Sequence, residues 1–456
     1  MVTNLKPSAG NFWVEVEEGY ILFNTFTGAG DLVDISVVEY LETVDKGERV
    51  PLINPEIVKK LIERGYLTTL NPKEELLRMK RVYDLLKHYQ KLSPITGIII
   101  TYDCNAGCVY CFQRDLARER DTLTRAISFT QVDSISTYVR ELVQKEPRIK
   151  PQVFLYGGEP LMTRNFEIVR YILEIFSQFD FYIITNGIEL ADFIPLLKKF
   201  RVGRLQITID GPKEVHDLRR PTMDGSSSFE RVLEGVNLAL KEKIPVYVRV
   251  NIDKRNIGNI KEFIDSFGSN IKDNVGLLKI GPALVMPSGG NPCHHEELCT
   301  REEFNQFMLG LEKDLPIEHS AVAFPGKGIL HTLIQRTDVR NTLPVFFICG
   351  ATTLANLLFD PYGDVYTCFG AVGYEEHKTG SYDEAGIRFN ENYHLWTNRS
   401  VFTIEECEGC RYALLCGGGC ALQAHYKTGS IMKPDCPNYK EVFHTYLPYF
   451  WKKSPK

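Results

Sequence analysis

The chain has 456 residues, of which 44% are hydrophobic, and a formal net charge of −5. This length predicts about three domains, and the mild charge with scattered Lys and Arg argues against a nucleic-acid partner. Residues 1–10 lack the apolar core of a signal peptide, and the apolar run 345–359 is too short and too interrupted to span a bilayer. We therefore expect a cytoplasmic protein that binds neither nucleic acid nor membrane.

Residues 1–92 are predicted to form a small domain of their own. Aromatic and β-branched residues at 12–23, interrupted at Gly19, and the pair Leu32-Val33 predict three short antiparallel strands. Three helices should follow, beginning near Ile35, Pro55 and Pro72. An exposed edge of such a ribbon can capture an extended peptide by strand addition, although a purely structural cap would show the same pattern.

Strands and helices alternate in the next part of the chain. Strands are predicted at residues 96–102, 152–156, 181–185, 204–210, 245–252 and 276–281. Helices are predicted at residues 131–144, 165–176, 189–199, 228–241 and 259–267. This order implies parallel strands joined by right-handed crossovers, and therefore an α/β fold with an open, TIM-like partial (β/α)6 barrel. The carboxyl ends of its strands should line one site.

Three cysteines follow the first of these strands, with the spacing C-x3-C-x2-C at Cys104, Cys108 and Cys111. This spacing suits three corners of an iron–sulfur cube whose fourth iron remains open to an exogenous ligand. An odd number of closely spaced cysteines argues against disulfides, and a zinc ion would need a fourth ligand nearby. Zinc and buried core thiols remain the alternatives at this point.

Glycines and polar residues mark the ends of the later strands. Gly157-Gly158-Glu159-Pro160 ends the second strand, where glycines let a ligand approach the backbone closely. The other strand-end residues that we single out are Asn186, Thr208, Asp210, Arg220 and Asn251. Taken singly, Asn186, Asp210 and Asn251 are equally compatible with ordinary turns.

The cysteine motif, with Tyr110 before its last cysteine, and the Gly-Gly-Glu-Pro stretch resemble the radical S-adenosylmethionine (SAM) superfamily. In that family a 4Fe–4S cluster binds SAM and cleaves it to a 5′-deoxyadenosyl radical, which abstracts hydrogen from carbon. The resemblance implies that Cys104, Cys108 and Cys111 hold this cluster. It assigns SAM binding to Tyr110, Gly157, Gly158, Glu159, Pro160, Asn186, Thr208 and Arg220. Thr208 and Arg220 would hold the methionine carboxylate, and Glu159 would contact the amino group or brace the loop.

A second group of cysteines lies near the carboxyl end. Its members are Cys349, Cys368, Cys407, Cys410, Cys416, Cys420 and Cys436, with Gly363 between the first two. Without an export signal, such spacing indicates metal ligands rather than disulfides, and two zinc sites are the rival to iron–sulfur clusters. Loop 286–300 contains Cys293, His294, His295 and Cys299. We interpret that loop as a cover of the barrel mouth rather than as a metal site.

This second group, together with Trp396, Arg399 and Gly417-Gly418-Gly419, is similar to the SPASM extension of radical SAM enzymes. The resemblance assigns auxiliary cluster II, the distal 4Fe–4S cluster, to Cys407, Cys410, Cys416 and Cys436. It assigns auxiliary cluster I, nearer the substrate, to Cys349, Cys368 and Cys420. Many relatives add a cysteine just upstream, but residues 343–348 contain none. Cys293, Cys299, another residue, water or the substrate would then complete that cluster.

Four regions follow from these patterns. They are a winged-helix-like domain resembling leader-recognition domains (1–92), a radical SAM barrel (93–300), a bridging segment (301–345) and a SPASM domain (346–456). Together the two resemblances imply three 4Fe–4S clusters and a maturase that modifies a ribosomally made precursor peptide. The modification would be a thioether or carbon–carbon cross-link, a backbone excision or a related change. Expected partners are the precursor peptide with its leader, a reductant such as flavodoxin or ferredoxin, and an accessory protein.

Two other functions are compatible with parts of the pattern. An anaerobic sulfatase-maturing enzyme, which forms formylglycine, is the first alternative. Those enzymes carry an aspartate base after the cysteine that matches Cys368, whereas this chain carries Phe369. A non-catalytic iron–sulfur protein for electron transfer or redox sensing is the second, and it would leave the Gly-Gly-Glu-Pro loop without a purpose. No catalytic acid or base can be assigned from the sequence.

Overall fold

The computed structural model describes residues 4–48, 53–90, 94–113, 116, 124–267, 273–274, 276–287, 295–314, 349–353, 356–436 and 439–453. Most of the predicted bridging segment 301–345 and Cys293 lie outside these residues. The chain divides into two compact units. The first contains the described residues up to Tyr89, Cys349 and those from Asn398 onward, and the second contains the rest. The predicted limits of the four regions remain predictions.

The three predicted amino-terminal strands are found, together with two short strands, at residues 6–7 and 67–68, that the sequence did not predict. They are β1 (Lys6–Pro7), β2 (Asn11–Val16), β3 (Gly19–Asn24), β4 (Gly30–Val33) and the later β5 (Leu67–Thr68). Strands β2, β3 and β4 form an antiparallel sheet in that order, and β1 pairs with β5. Gly19 has a φ of +137° in the β2–β3 turn, a conformation that favours glycine. One lateral edge of this sheet therefore belongs to β4.

Three helices follow the sheet, each with a polar residue before it. They are α1 (Ile35–Lys46), α2 (Pro55–Glu63) and α3 (Pro72–Gln90). Asp34 and Asn54 accept backbone hydrogen bonds at the starts of α1 and α2, which satisfies otherwise unpaired N–H groups. The core between sheet and helices contains Leu22, Val37, Leu41, Leu61 and Tyr66.

The six predicted barrel strands are confirmed, with bounds shifted by up to three residues. They are β6 (Ile95–Ile99), β7 (Gln152–Tyr156), β8 (Asp180–Thr185), β9 (Val202–Thr208), β10 (Val246–Ile252) and β11 (Leu278–Leu284). All neighbouring pairs are parallel and follow chain order. Successive side chains alternate between the two faces, so Val153 and Leu155 are buried in the core while Phe154 and Tyr156 lie on the opposite face.

Helices connect these strands. They are α4 (Phe129–Lys145), α5 (Phe166–Ile175), α6 (Leu190–Leu197), α7 (Lys213–Arg219), α8 (Phe229–Lys241) and α9 (Ile260–Ser266), followed by α10 (Arg301–Asp314). The five predicted crossover helices are confirmed, and α7 is an additional short helix after β9. Ser128 and Gln131 form a reciprocal capping box at the start of α4.

Four further strands extend the barrel sheet to ten strands. They are β12 (Asn356–Phe359), β13 (Asp364–Tyr366), β14 (Gly380–Asp383) and β15 (Gly386–Phe389). Strand β12 runs parallel to β6, with Leu358 opposite Gly97, and the others continue as antiparallel neighbours. A Cβ on Gly97 would lie 2.3 Å from the Leu358 side chain, so glycine permits this close contact.

The carboxyl-terminal helices are short apart from the last. They are α11 (Glu391–Asn398), α12 (Ala413–Cys416), α13 (Ala421–Thr428) and α14 (Tyr439–Lys453). In the first unit, the Phe12 ring of β2 packs 5.1 Å from Tyr412 and 5.4 Å from Phe443 of α14. The amino- and carboxyl-terminal parts of the chain thus share a core. Within the described residues, no helix combines the length and apolar character needed to cross a membrane.

Candidate active site

The cysteine loop leaves the carboxyl end of β6 and is held by the segment that follows α7. Gly107 N–H donates to Pro221 O at 2.7 Å, and Val109 N–H donates to Arg219 O at 3.0 Å. Burial raises the pKa of the Cys104 thiol, and the nearby Cys108 thiol adds to this rise, with a smaller contribution from Cys111. The three thiols therefore lie close enough to interact electrostatically. Metal binding would relieve the cost of three adjacent thiolates, so the donor set fits a metal cluster.

Gly157 and Gly158 pack directly against the backbone of this loop. A Cβ on Gly157 would lie 2.3 Å from Thr101 O, and one on Gly158 would lie 2.2 Å from Asp103 O. The Gly158 N–H also donates to Thr101 O at 2.8 Å. Glycine is thus required here by the approach of the cysteine loop itself. Pro160, which is buried, completes the turn by accepting a hydrogen bond from Asn165.

Glu159 lies beneath this turn with 1% of its surface exposed. Its Oε1 accepts hydrogen bonds from Leu161 N–H at 2.8 Å and Thr185 Oγ1 at 2.7 Å, and its Oε2 accepts one from Asn186 N–H at 2.5 Å. Burial raises its pKa to about 7, although these hydrogen bonds oppose the rise. Both carboxylate oxygens are engaged in bracing the loop.

Asn186 links the end of β8 to the cysteine loop. Its Nδ2 donates to Asn105 Oδ1 at 2.7 Å and lies 3.6 Å from the Cys104 sulfur. Asn105 in turn donates to Glu189 Oε1 at 2.6 Å. These amide contacts fix the chain at Cys104 and Asn105, so Asn186 is placed to orient the loop.

Tyr110 connects the loop to the ends of β9 and β10. Its hydroxyl donates to Asp210 Oδ2 at 2.5 Å and accepts hydrogen bonds from Arg220 Nη1 at 2.7 Å and Asn251 Nδ2 at 3.0 Å. Burial raises its pKa well above the usual range, so the phenol remains protonated. Arg220 is also close enough to Cys108 for the Arg220 cation to lower the pKa of that thiol, against the effect of burial.

A buried ion pair beside Tyr110 was missed from the sequence. Arg219 Nη1 contacts both carboxylate oxygens of Asp253 at 2.7 Å, and these side chains are 3% and 1% exposed. The Arg219 guanidinium also lies 4.9 Å from the centre of the Tyr110 ring. The sequence signal was present in the adjacent arginines 219 and 220, of which only the second was singled out.

Thr208 ends β9 opposite Arg249 of β10. Within the described residues, Arg249 has no carboxylate partner, and its Nε donates to Asn251 Oδ1 at 2.8 Å. The predicted contacts of Thr208 and Arg220 with a methionine carboxylate remain predictions.

The cysteines assigned to auxiliary cluster II all lie in the first unit. Burial raises the pKa of Cys407 to about 12, and the thiols of Cys416, Cys410 and Cys436 add to the rise. These four thiols are therefore neighbours. The loop after Cys416 contains three consecutive glycines, Gly417, Gly418 and Gly419, with φ values of 61°, 80° and 70°. Only glycine readily adopts such a run of left-handed conformations.

The cysteines assigned to auxiliary cluster I do not share one unit. Cys349 and Cys420 belong to the first unit and Cys368 to the second, so this ligand set stays a prediction. Cys299, one candidate for the missing ligand, is buried in the second unit, and burial with nearby Glu303 raises its pKa. Phe369, directly after Cys368, packs 5.3 Å from Tyr156 and 5.6 Å from Phe154.

Comparisons with known proteins relate this chain to the superfamily that its cysteine loop resembles. The family model of the Radical SAM superfamily matches residues 98–267. The chain is 23% identical over 411 residues to the radical SAM cyclopropyl synthase TigE of Paramaledivibacter caminithermalis, covering 84% of this chain and 81% of that protein. It is 23% identical over 364 residues to a cysteine-type anaerobic sulfatase-maturating enzyme of Clostridium perfringens, covering 76% of this chain and 94% of that enzyme.

A solved structure covers nearly the whole chain. Streptococcus suis SuiB bound to its precursor peptide SuiA aligns with a TM-score of 0.51 and 14% identity, over 95% of this chain and 99% of SuiB. At this identity the likeness concerns the fold. Together with the cysteine loop, these relationships lead to one conclusion: the chain contains a Radical SAM domain, at residues 98–267, and is related to TigE and to sulfatase-maturating enzymes.

Proposed function

We propose that this enzyme is a maturase of a ribosomally made precursor peptide and that it carries three 4Fe–4S clusters. The observation that carries the proposal is the loop with the interacting thiols of Cys104, Cys108 and Cys111, whose first residues pack their backbone against Gly157 and Gly158 at the carboxyl end of β7. The peptide substrate is supported by SuiB, which aligns with this chain and was solved with a precursor peptide.

The protein's own residues would hold and orient the cofactors. Cys104, Cys108 and Cys111 would ligate one cluster, which together with SAM supplies one-electron cleavage and hydrogen-atom abstraction. Glu159 and Asn186 hold the loop in place through the hydrogen bonds described above. The Arg220 cation would partly offset the negative charge of the thiolates near Cys108.

The first unit supplies a site for the leader segment. A groove of about 840 Å³ lies beside β4, lined by residues that include Leu32, Ile57, Arg64 and Trp451. Leu32 is 42% exposed there, and β4 is a terminal strand of its sheet. An extended peptide could add a strand to this edge and place apolar side chains in the groove. We therefore favour leader binding over a purely structural cap.

The alternatives are less well supported. A sulfatase-maturing oxidase would need a proton acceptor at the position of Phe369, whose apolar ring packs on Phe154 and Tyr156. A non-catalytic electron carrier would not need the enclosed contacts between the Gly157-Gly158 turn and the cysteine loop. A flavodoxin or ferredoxin remains our candidate reductant for the proposed reaction.

The test is an anaerobic reconstitution of the full chain. Iron and sulfide are counted, and dithionite, SAM and the precursor peptide encoded beside the gene are then added while 5′-deoxyadenosine and peptide mass are followed. We expect about twelve irons per chain, deoxyadenosine and a peptide mass change, and fragmentation would identify the bond. Stoichiometric zinc without deoxyadenosine would overturn the proposal, and deoxyadenosine with modification of a sulfatase peptide alone would favour the first alternative.

A further inference from the structure

Arg399 is a buried cation held entirely by backbone carbonyls. Only 1% of its side chain is exposed. Its Nε donates to Ile431 O at 2.5 Å, its Nη1 to Gly419 O at 2.9 Å, and its Nη2 to Gly418 O at 2.7 Å and Lys433 O at 3.1 Å. Among the residues that the structure describes, no carboxylate is seen to hydrogen-bond to it, but the buried Asp435 carboxylate is close enough to act on its charge. Its positive charge therefore lacks the hydrogen-bonded anion that a buried charge normally has.

The carbonyls that bind Arg399 belong to two loops that carry predicted cluster ligands. Gly418 and Gly419 lie between Cys416 and Cys420. Ile431 and Lys433 lie on the segment that leads to Cys436. The planar guanidinium is suited to binding several carbonyls at once, so one side chain ties both loops together.

The two loops also contact each other directly. Asp435 N–H donates to Gly418 O at 3.1 Å, and a Cβ on Gly419 would lie 2.0 Å from Asp435 O. The spacing between Cys420 and Cys436 thus depends on this tight backbone contact. Arg399 adds hydrogen bonds to both loops at this contact. It is therefore placed to fix the position of Cys420 relative to Cys436.

The thiols around Arg399 come from both predicted auxiliary clusters. Burial lowers the pKa of the guanidinium, and the Cys349, Cys420 and Cys407 thiols oppose this effect, with a smaller contribution from the Asp435 carboxylate. Cys349 and Cys420 are assigned to auxiliary cluster I, and Cys407 is assigned to auxiliary cluster II. When these cysteines are thiolates that bind metal, their negative charge would compensate the buried cation.

We propose that Arg399 is a positioning residue shared by the two auxiliary clusters and that its buried charge raises their reduction potentials. This inference rests on the proposed function, because it requires these cysteines to hold iron–sulfur clusters. A reduced cluster is more negative by one charge than the oxidised one. A fixed cation nearby stabilises the reduced cluster more than the oxidised one. Removing the cation should therefore lower the reduction potential.

The test compares Arg399→Gln, which removes the charge, with Arg399→Lys, which keeps it but loses the planar fork. Arg411→Gln is the matched control, since it makes the same change at an exposed arginine that is adjacent to Cys410 in the sequence. Each reconstituted full-length protein is titrated anaerobically and followed by electron paramagnetic resonance. The signal that changes on addition of SAM identifies the first cluster, and the remaining signals report the auxiliary clusters.

We expect Arg399→Gln to shift the auxiliary potentials to more negative values while the SAM-responsive signal keeps its potential. Arg399→Lys should stay near the wild-type potential and unfold at a lower temperature, and Arg411→Gln should change the potential little because solvent screens the charge of Arg411. Unchanged auxiliary potentials in an iron-replete Arg399→Gln protein would overturn the proposal. If Arg399→Gln loses iron, the Arg399→Lys protein provides the test. A lowered auxiliary potential in Arg399→Lys, which keeps the charge, would count against the proposed charge effect.

If the proposed function is wrong, the same measurements should give a different result. A wild-type protein with about four irons, all in the SAM-responsive cluster, would overturn the three-cluster proposal. A wild-type protein with about twelve irons and Arg399 variants that leave every auxiliary potential unchanged would overturn only the role of Arg399.

Discussion

The Tyr110 hydroxyl donates a 2.5 Å hydrogen bond to Asp210 Oδ2, which joins the cysteine loop to the end of β9. Asp210 is fully buried, and its Oδ1 accepts the Asn251 N–H of β10 at 3.0 Å. One carboxylate therefore ties the loop to two adjacent strand ends. Tyr110, the aromatic residue of the cysteine motif, therefore holds the loop through its hydroxyl group as well as through its ring.

Replacing Tyr110 with phenylalanine should destabilise this part of the second unit. The change leaves Asp210, Arg220 and Asn251 without a shared partner, so we expect a loss of about 2 kcal/mol in unfolding free energy and roughly tenfold weaker SAM binding. Urea unfolding and equilibrium dialysis of SAM measure the two effects. Tyr171→Phe is the control, because the Tyr171 hydroxyl contacts Asp133 at 2.6 Å on the surface. Equal losses in both variants would contradict the prediction.

A methyl group at Gly158 should displace the cysteine loop. It would lie 2.2 Å from Asp103 O and 2.5 Å from Tyr102 O, both backbone atoms that cannot move without shifting the loop. We expect Gly158→Ala to reduce 5′-deoxyadenosine formation about a hundredfold, with loss of iron from the first cluster. Gly258→Ala should behave as wild type, since a Cβ there meets nothing within 4 Å. Full activity of Gly158→Ala would show that the loop can adjust.

His216 is held as a neutral ring in the same unit. Its Nδ1 accepts the Asp210 N–H at 3.3 Å, and its Nε2 lies 3.0 Å from Ser228 Oγ. Ser228 donates its own proton to Arg220 O at 2.5 Å, so Nε2 must carry the ring hydrogen. Burial lowers the pKa of His216 to about 4, helped by the nearby Arg220 cation and opposed by Asp210 and Asp217.

This histidine should make stability depend on pH between about 6.5 and 4. In that range His216 binds a proton in the unfolded chain but not in the native protein. The free energy of unfolding therefore falls as the pH falls. The full effect is about 3 kcal/mol, at about 1.4 kcal/mol per pKa unit. Unfolding free energies of wild type and His216→Asn, measured from pH 7 to 4, should differ in slope. His394→Asn, at an exposed position, should keep the wild-type slope, and parallel curves for wild type and His216→Asn would refute this assignment.

A charge in the groove beside β4 should weaken capture of the leader. Leu32→Asp places a carboxylate among apolar side chains, and we expect the dissociation constant of a labelled precursor peptide to rise at least about tenfold. Fluorescence anisotropy measures this constant. Leu85→Asp is the control, because it makes the same substitution outside the groove lining. Leu85 is 64% exposed on α3. If both variants bind as wild type does, the leader does not use this groove.

Local patterns predicted most of the secondary structure. The barrel strands were found because their apolar runs are bounded by glycine and polar turn residues, as at Gln152–Tyr156 before Gly157. Strand β12 was missed because it pairs with β6 across more than 250 residues of chain, and short runs carry no signal of a distant partner. Helix α7 was missed because its seven residues are too few for a helical period to be evident.

The sequence by itself predicted the radical SAM chemistry, since cysteine spacing and the Gly-Gly-Glu-Pro stretch depend on neighbouring residues along the chain. Tertiary structure decided which polar groups support that chemistry. Arg219 and Asp253, and likewise Arg399 and the carbonyls of Gly418 and Lys433, are separated in sequence and meet only after folding. Burial gives these contacts their strength, because a charge removed from water must find its partner within the protein.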